Sequence, residues 1–299
     1  MHKSVANRPA TKVKALKTIP STDSASFKEA LRVARHIVVV AGAGLSAAPG
    51  IPTFRGAGGL WREYDATELA TPDAFESDPA LVWQFHEYRR RIVLQAKPNG
   101  AHYLLAKLSN PSELRKLAPN AASFYVITQN VDGLSSRALQ ELSAETSSLP
   151  DSDFGSSVIE THGRLLEVRC TSPICTWSKL DATLPLCPVL AEPTSNPSPD
   201  ELKQGSDGTT EEQLHRCDAC GSLARPGVVW LDEKPRDVEK IETLIKQADF
   251  CISVETSSTV FPAAGYVYKV RRHGGATVIF NLEADQSRDR FADFLFLGP

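Results

Sequence analysis

An α/β fold built on a parallel sheet, with a small cysteine-bearing module set into it, follows from three features of this 299-residue chain. Short apolar runs at residues 36–41, 123–128, 228–230, 250–254 and 277–280 have the length and β-branched content of buried strands. Helical patterns at residues 235–248 and 260–272 fill the gaps between the last three, and strands alternating with helices give a parallel sheet. Two close cysteine pairs, Cys170 with Cys175 and Cys217 with Cys220, stand outside those runs. With six Cys in the whole chain, that pairing suggests a metal site in a reducing compartment rather than a disulfide framework.

Taken in chain order, residues 1–25 carry Lys3, Arg8, Lys12, Lys14 and Lys17 with no acid before Asp23, and read as a flexible tail or a mitochondrial targeting segment. Order is expected from Ser26, where Ser26 and Glu29 make a capping box ahead of a helix. The strand at 36–41 leads directly into Gly42-x-Gly44-x-x-Ala47. Asp78-Pro79 predicts a helix start, with the helix running through Arg91. The strand at 123–128 ends at a polar cluster, Gln129, Asn130 and Asp132, and another strand is expected at 165–169. Residues 142–157 read as a surface loop, and residues 191–213, rich in Pro, Ser and acids, as a disordered insert. The resulting division is a large domain from 26–163 and 224–299 and a small module from 164–223.

Several function classes are disfavoured at this level. Lys+Arg 33 against Asp+Glu 36 leaves a net charge of −3, which argues against a dedicated nucleic-acid binder. No stretch approaches the roughly 20 apolar residues of a membrane helix.

The glycine turn is the dinucleotide fingerprint of Rossmann-like sheets: glycines let the backbone approach a pyrophosphate, whose charge meets amides at a helix start. The acid expected about 20 residues on does not fall on a strand pattern, since Glu63 and Asp65 lie outside one. The polar cluster after the strand at 123–128 sits where α/β folds place ligands, though a turn satisfying its own backbone would read the same way. In the cysteine module, Cys170-x4-Cys175 and Cys217-x2-Cys220 are separated by 41 residues. Four thiolates leave no open position, so a zinc ion there would be structural. Cys251 reads as core, and Cys187 is the spare ligand if Cys175 points away.

Residues 42–56, the run Thr128-Gln129-Asn130-Val131-Asp132, the pair His162-Gly163 and the two cysteine pairs together resemble the sirtuins, the NAD-dependent protein-lysine deacylases. Residues 56–75 look like the branch that removes succinyl and malonyl groups. The resemblance implies a Rossmann-like domain with a small inserted zinc module, one structural zinc, and NAD as cofactor. It implies catalytic roles for His162, Asn130 and Asp132. NAD would be held by Gly42, Ala43, Gly44, Phe54, Arg55, Trp61, Gln129, Asn130, Asp132, Glu255, Thr256, Ser257, Asn281 and Glu283. The acyl-lysine would meet Ala66, His86, Arg89, Val229 and Leu231. The implied chemistry has the acyl oxygen displace nicotinamide from its ribose, after which His162 activates a ribose hydroxyl, giving free lysine and O-acyl-ADP-ribose. The partners implied are acylated lysines of proteins, with no nucleic acid and no membrane, and the compartment is mitochondrial, with cytoplasm or nucleus as alternatives.

Five departures from the family's pattern bear on activity or acyl choice. Glu255 replaces the Gly of a Gly-Thr-Ser cofactor loop, and Leu231-Asp232 replaces Phe-Gly in the substrate strand. Pro49 replaces a Ser, and His86 replaces the Tyr that pairs with Arg89 over an acidic acyl group. The family also normally extends beyond Pro299. A catalytically weak NAD- and zinc-binding descendant is therefore the rival expectation, with ADP-ribosyl transfer a minor one.

Overall fold

The computed structural model describes residues 19–47, 50–51, 60–61, 64–145, 157–191, 209–257 and 259–298. Pro49, Phe54, Arg55 and most of the 142–157 and 191–213 stretches lie outside the described residues.

The first helix, α1 (Ser24–Val33), is capped by Asp23, whose carboxylate accepts from the amides of Ala25 and Ser26. The capping box expected on Ser26 is displaced because the two oxygens of Asp23 take both amides one turn earlier. Structure also begins before residue 26, as Ser21 bridges to Phe294. After β1 (His36–Ala41), residues Ala43–Ser46 close a single 3-10 turn rather than opening a helix. A short ribbon of β2 (Leu60–Trp61) and β3 (Tyr64–Asp65) leads into α2 (Ala66–Leu69) and α3 (Pro72–Ser77). Asp78 then caps α4 (Pro79–Gln95), accepting from Leu81 N at 2.9 Å, and the helix outruns its expected end at Arg91. Next come α5 (Gly100–Leu108), α6 (Pro111–Leu117), β4 (Ser123–Thr128) and α7 (Leu134–Glu145). His102 completes a capping box with Asn99 at the start of α5.

The middle of the chain supplies β5 (Val158–Glu160), β6 (Gly163–Cys170), β7 (Ser178–Leu180) and β8 (Ala224–Val228). It ends with α8 (Val238–Gln247), β9 (Phe250–Val254), α9 (Tyr266–Arg272), β10 (Ala276–Asn281), α10 (Gln286–Asp289) and β11 (Phe294–Leu297). Six strands form a parallel sheet in the order β11-β10-β9-β1-β4-β5. The strand expected at 228–230 lies instead at 224–228, in a separate antiparallel sheet ordered β7-β6-β8. β5 and β11, too short and too flanked by polar residues to read as buried runs, complete the edges of the large sheet.

β1 explains the layering. Ile37, Val39 and Ala41 pack on one face with Phe124, Phe250 and residues of α1 and α6, while Val38 and Val40 pack on the other with Ile241, Ile245, Tyr266 and Val270. A strand buried on both faces needs apolar residues at every position, which is what its sequence carries. A third cluster joins α3 and α4 to β6 and β8, with the Trp83 indole donating to Ala224 O at 2.9 Å. No helix among the described residues is long and apolar enough to cross a membrane.

Candidate active site and metal centre

From β1 the chain builds outward to β4 and β5 on one side, then returns to β9, β10 and β11 on the other. The reversal leaves a crevice at the carboxyl ends of β1, β4 and β9, the general ligand position in open α/β sheets. A cavity of about 450 Å³ lies there. Its walls bring together Gly42, Ala43, Gly44, Gln129, Asn130 and His162, then Glu255, Thr256 and Ser257 from the loop after β9. His86 and Arg89 of α4 reach it too, as do Val229 and Leu231 after β8.

The turn after β1 lies against the loop after β9. Gly42 N donates to Val254 O at 2.9 Å and Gly44 N to Glu255 O at 3.1 Å. A Cβ on Gly42 would come within 2.5 Å of Glu255 O and Thr256 Cα, so only glycine permits this approach. The space a side chain on Gly44 would need is already taken by the Glu255 carboxylate. Glu255 itself sits at φ 48°, in the left-handed region. Burial raises its carboxyl pKa above the ordinary value, with Arg288 opposing. Arg288 ties this loop to the end of β10, donating to Thr256 O at 3.2 Å and to Glu283 O at 2.9 Å.

His162 is held from both sides. Its Nδ1 lies 3.0 Å from Gln129 O, and because a carbonyl only accepts, Nδ1 carries the proton and Nε2 the lone pair. Its own carbonyl accepts from Val229 N at 2.8 Å. The following Gly163 has φ 75°, and a Cβ there would collide with Gly227 O. The His-Gly pair thus seats the imidazole where β6 starts beneath β8. Burial lowers the His162 pKa, countered by the bond to Gln129, so the ring stays a neutral base at neutral pH. Beside it, Asn130 donates to Ser46 Oγ at 3.0 Å, and the Gln129 amide to Thr256 Oγ1 at 3.2 Å.

The α4 wall carries His86 and Arg89 one turn apart. His86 is fully buried, with Nδ1 2.8 Å from Val82 O. Desolvation, with neighbouring Arg89, Arg225 and Arg90, lowers its pKa to about 3 against the raising effect of the Val82 bond. Burial also lowers Arg89, to about 10, with Asp132 opposing, so it remains a cation. The loop beyond β8 is braced by Arg225, which grips Glu233 at 2.6 and 2.9 Å and lies 3.4 Å over the Trp230 ring.

Several expected site residues fall elsewhere. Ala66 packs with Trp61, Leu81 and Phe85, away from the cavity, and Ala70, four residues on, lines it instead with Thr67. α2 ends at Leu69, and Ala70, its C-cap at φ −94° and ψ 47°, has left the helix, so the two positions do not share the face that a spacing of four gives inside one. Trp61 is buried in the same cluster, its ring tilted against those of Tyr64, Phe85 and Tyr88, its bulk being absorbed by packing. Asp132 lines a second cavity of about 240 Å³ with Arg137 and Arg164, its carboxylate capping the Leu134 amide at 2.8 Å. Asn281 and Glu283 sit at the carboxyl end of β10 but do not line the cavity, and the 255–257 loop joins that strand end through Glu255 N donating to Phe280 O at 2.9 Å. Sequence reasoning missed Ala70, Thr67, Val260, Phe261 and the Arg225–Glu233 brace. The Arg-x7-Glu spacing of the last carries no motif, but paired charges beside a Trp were a signal of a buried contact.

Away from the cavity, the sulfurs of Cys170, Cys175, Cys217 and Cys220 all lie within 4.8 Å of one another. Cys170 and Cys220 are 3.5 Å apart, and Cys175 and Cys217 3.7 Å. A tetrahedral zinc with bonds of about 2.3 Å requires sulfurs roughly 3.8 Å apart, so the quartet fits a closed structural zinc site. Cys187 is buried outside the quartet, and Cys251 is core, its thiol pushed up to about 12 by burial.

A two-sided parallel sheet with a ligand crevice at its switch point, a neutral imidazole in that crevice and a four-thiolate module define a dinucleotide-binding enzyme scaffold with a structural zinc. The chain belongs to the Sir2 family, whose model matches residues 42–262. It is 39% identical over 299 residues to the NAD-dependent protein deacylase sirtuin-5, mitochondrial, of Xenopus tropicalis, covering 98% of this chain and 88% of that one. To the NAD-dependent protein deacylase of Thermococcus kodakarensis it is 39% identical over 255 residues, covering 84% and 81%. Among solved structures, a Sir2 homolog–NAD complex superposes with a TM-score of 0.69 at 33% identity, covering 93% of this chain and 91% of that one. A Sir2–p53 peptide–NAD+ complex superposes with a TM-score of 0.64 at 29% identity, covering 92% of each.

Proposed function

We propose that this chain is an NAD-dependent protein-lysine deacylase of mitochondria that favours acyl groups ending in a carboxylate. The observation that carries the reading is the shared cavity. One space is bounded by the glycine turn, by a neutral imidazole with Nε2 unprotonated, and by the cationic Arg89.

Bound NAD would supply an activated ribose carbon with nicotinamide as leaving group. Gly42, Ala43 and Gly44 lie where a pyrophosphate would approach the backbone, and Gln129 with Thr256 and Ser257 where ribose hydroxyls need partners. Asn130 is placed to orient polar groups at the reacting end, and Asp132 acts from behind through charge. His162 Nε2 takes a hydroxyl proton, for which the Gln129 bond fixes its tautomer. Val229 and Leu231 have their amides engaged by His162 O and Ala70 O, so an acylated peptide would meet their carbonyls. The thiolates of Cys170, Cys175, Cys217 and Cys220 would hold one zinc and build the 164–223 module around it.

A second reading, an NAD- and zinc-binding protein of weak activity, is favoured by the Glu255 carboxylate lying over Gly44. The test is nicotinamide release by zinc-loaded protein given NAD and succinyl-, malonyl- or acetyl-lysine peptide. Release that needs peptide and falls at least about a hundredfold in His162→Tyr supports the enzyme. Because the His162 pKa is lowered, its neutral form persists below the usual 6.5, and the acid limb of kcat/KM should lie below that pH. NAD binding without turnover supports the second reading.

A further inference from the structure

His86 and Arg89 share one face of α4 and one wall of the cavity, but they offer opposite hydrogen-bonding characters. Arg89 can only donate. The imidazole of His86 is fully buried, and Nδ1 is committed to Val82 O at 2.8 Å, which forces the proton onto Nδ1. Nε2, on the other edge of the ring, has no hydrogen-bond partner among the described residues. Burial, with Arg89, Arg225 and Arg90 adding to it, holds the ring neutral, so Nε2 presents a lone pair. A simple carboxylate held by Arg89 would bring oxygen lone pairs toward that nitrogen lone pair. A buried acceptor left without a donor disfavours the occupant that leaves it so.

Resting on the deacylase reading, we infer that the acyl pocket is matched to groups carrying a hydrogen-bond donor beside the carboxylate, namely hydroxylated acidic acyl groups. The carboxylate lies on Arg89 and the hydroxyl donates to His86 Nε2. The remaining wall agrees with an occupant bulkier than a plain straight chain, since Ala70 is small, and Thr67, its hydroxyl proton committed to Asp65 Oδ1 at 2.6 Å, has only lone pairs to offer a donor. A residue at position 86 with a hydroxyl of its own would not impose this requirement, because it could donate to the carboxylate directly.

The test uses the full, zinc-loaded protein with NAD and a single peptide sequence, its lysine carrying acetyl, succinyl, hydroxysuccinyl, glutaryl or 3-hydroxyglutaryl. The hydroxylated member of at least one pair should win by about tenfold or more in kcat/KM, as a site lacking its partner hydrogen bond discriminates. His86→Phe should reduce that ratio to near one, and His86→Tyr should turn it toward the plain acid. Where turnover is too slow to measure, the same ratio is read from peptide Kd by calorimetry. Equal values for both members of each pair in the unmodified protein overturn the inference while leaving the deacylase reading intact. Nicotinamide release from no peptide, with the Kd ratio still present, overturns the deacylase reading but not the pocket chemistry.

Discussion

The six-stranded and three-stranded sheets of this molecule are held together by different forces. At the centre of the large sheet, Ile37, Val38, Val39, Val40 and Ala41 are all at or below 2% exposure, covered by helices on both sides. Around the small sheet the buried groups include ions. Arg90 is completely buried, bonded to Glu87 at 3.1 Å and to the carbonyls of Leu165, Asp181 and Thr183. Arg225 grips Glu233, and Arg236 grips Glu167 at 2.7 and 3.0 Å. The apolar cluster of that region is shared with α3 and α4, so the order of the three strands and the cysteine quartet draws on charge pairing and metal as well as on core. The lesson is that the cavity between them has one wall that is intrinsically stable and one wall that is conditional.

Metal removal breaks the comparison most sharply. Zinc-finger peptides owe about 10–16 kcal/mol of folding free energy to their ion. Chelation, or Cys217→Ser, should therefore abolish hydrogen-exchange protection across β6, β7 and β8 while β1, β4 and β9 retain theirs. Equal loss in both sheets would mean that the small sheet supports the large one rather than hanging from it.

A smaller effect is expected at Arg225. Arg225→Met leaves Glu233 without its cation beside a Trp ring, a broken pair that costs about 3 kcal/mol in comparable buried settings. Urea unfolding should report that loss, and a cycle with Glu233→Gln should recover part of it. An equivalent apolar truncation in the large sheet, Ile37→Ala, should cost a similar amount through a cavity and recover nothing in such a cycle.

The same contrast decides what could be read from the sequence. The central strands were legible because two-sided burial leaves a continuous apolar run, and the cysteine pairs because a metal demands ligands at close spacing. His162 and Gln129 were legible from the family resemblance, and the φ 75° of Gly163 gives the physical reason for the His-Gly pair. The substrate wall was not. Ala66 and Ala70 are identical residues four apart, and only the ending of α2 at Leu69 decides which one faces the cavity. Asp132 and Trp61 stand outside the cavity walls, one as a cap and one in an aromatic cluster, uses that draw on the same residue types as a ligand site. The edge strand β11 was missed because its pairing with β10 has no signature within its own four residues.

At the cofactor edge of the large sheet, Glu255→Gly tests whether the acid obstructs the crevice. The backbone at φ 48° strains a side chain by about 1–2 kcal/mol, partly offset by the flexibility of glycine when unfolded. Removing a carboxylate that faces Gly44 should tighten NAD binding about tenfold, or roughly 1.4 kcal/mol, by calorimetry. Since burial raises the Glu255 pKa, its charge is lost at a higher pH than for an ordinary Glu. NAD affinity of the unmodified chain should therefore rise as pH falls through that titration, and Glu255→Gly should remove this slope. An unchanged Kd would mean that the side chain swings clear when the cofactor enters.

Asp232 is the matched case on the conditional wall, and the smallest effect. It too occupies the left-handed region, at φ 68°, but its side chain is exposed and crowds no glycine. Asp tolerates this backbone better than Glu because its short carboxylate can bond locally. Asp232→Gly should thus raise stability by at most about 0.5 kcal/mol, the relief of strain being nearly cancelled by the entropy of glycine. Thermal unfolding would measure it, and NAD affinity should not change. Both acids stand where the family's pattern has glycine, so a model based on backbone strain alone gives the two substitutions similar outcomes. Divergence between them, with NAD binding responding only at Glu255, would locate the cost in the space a side chain occupies rather than in the dihedral it is forced to adopt.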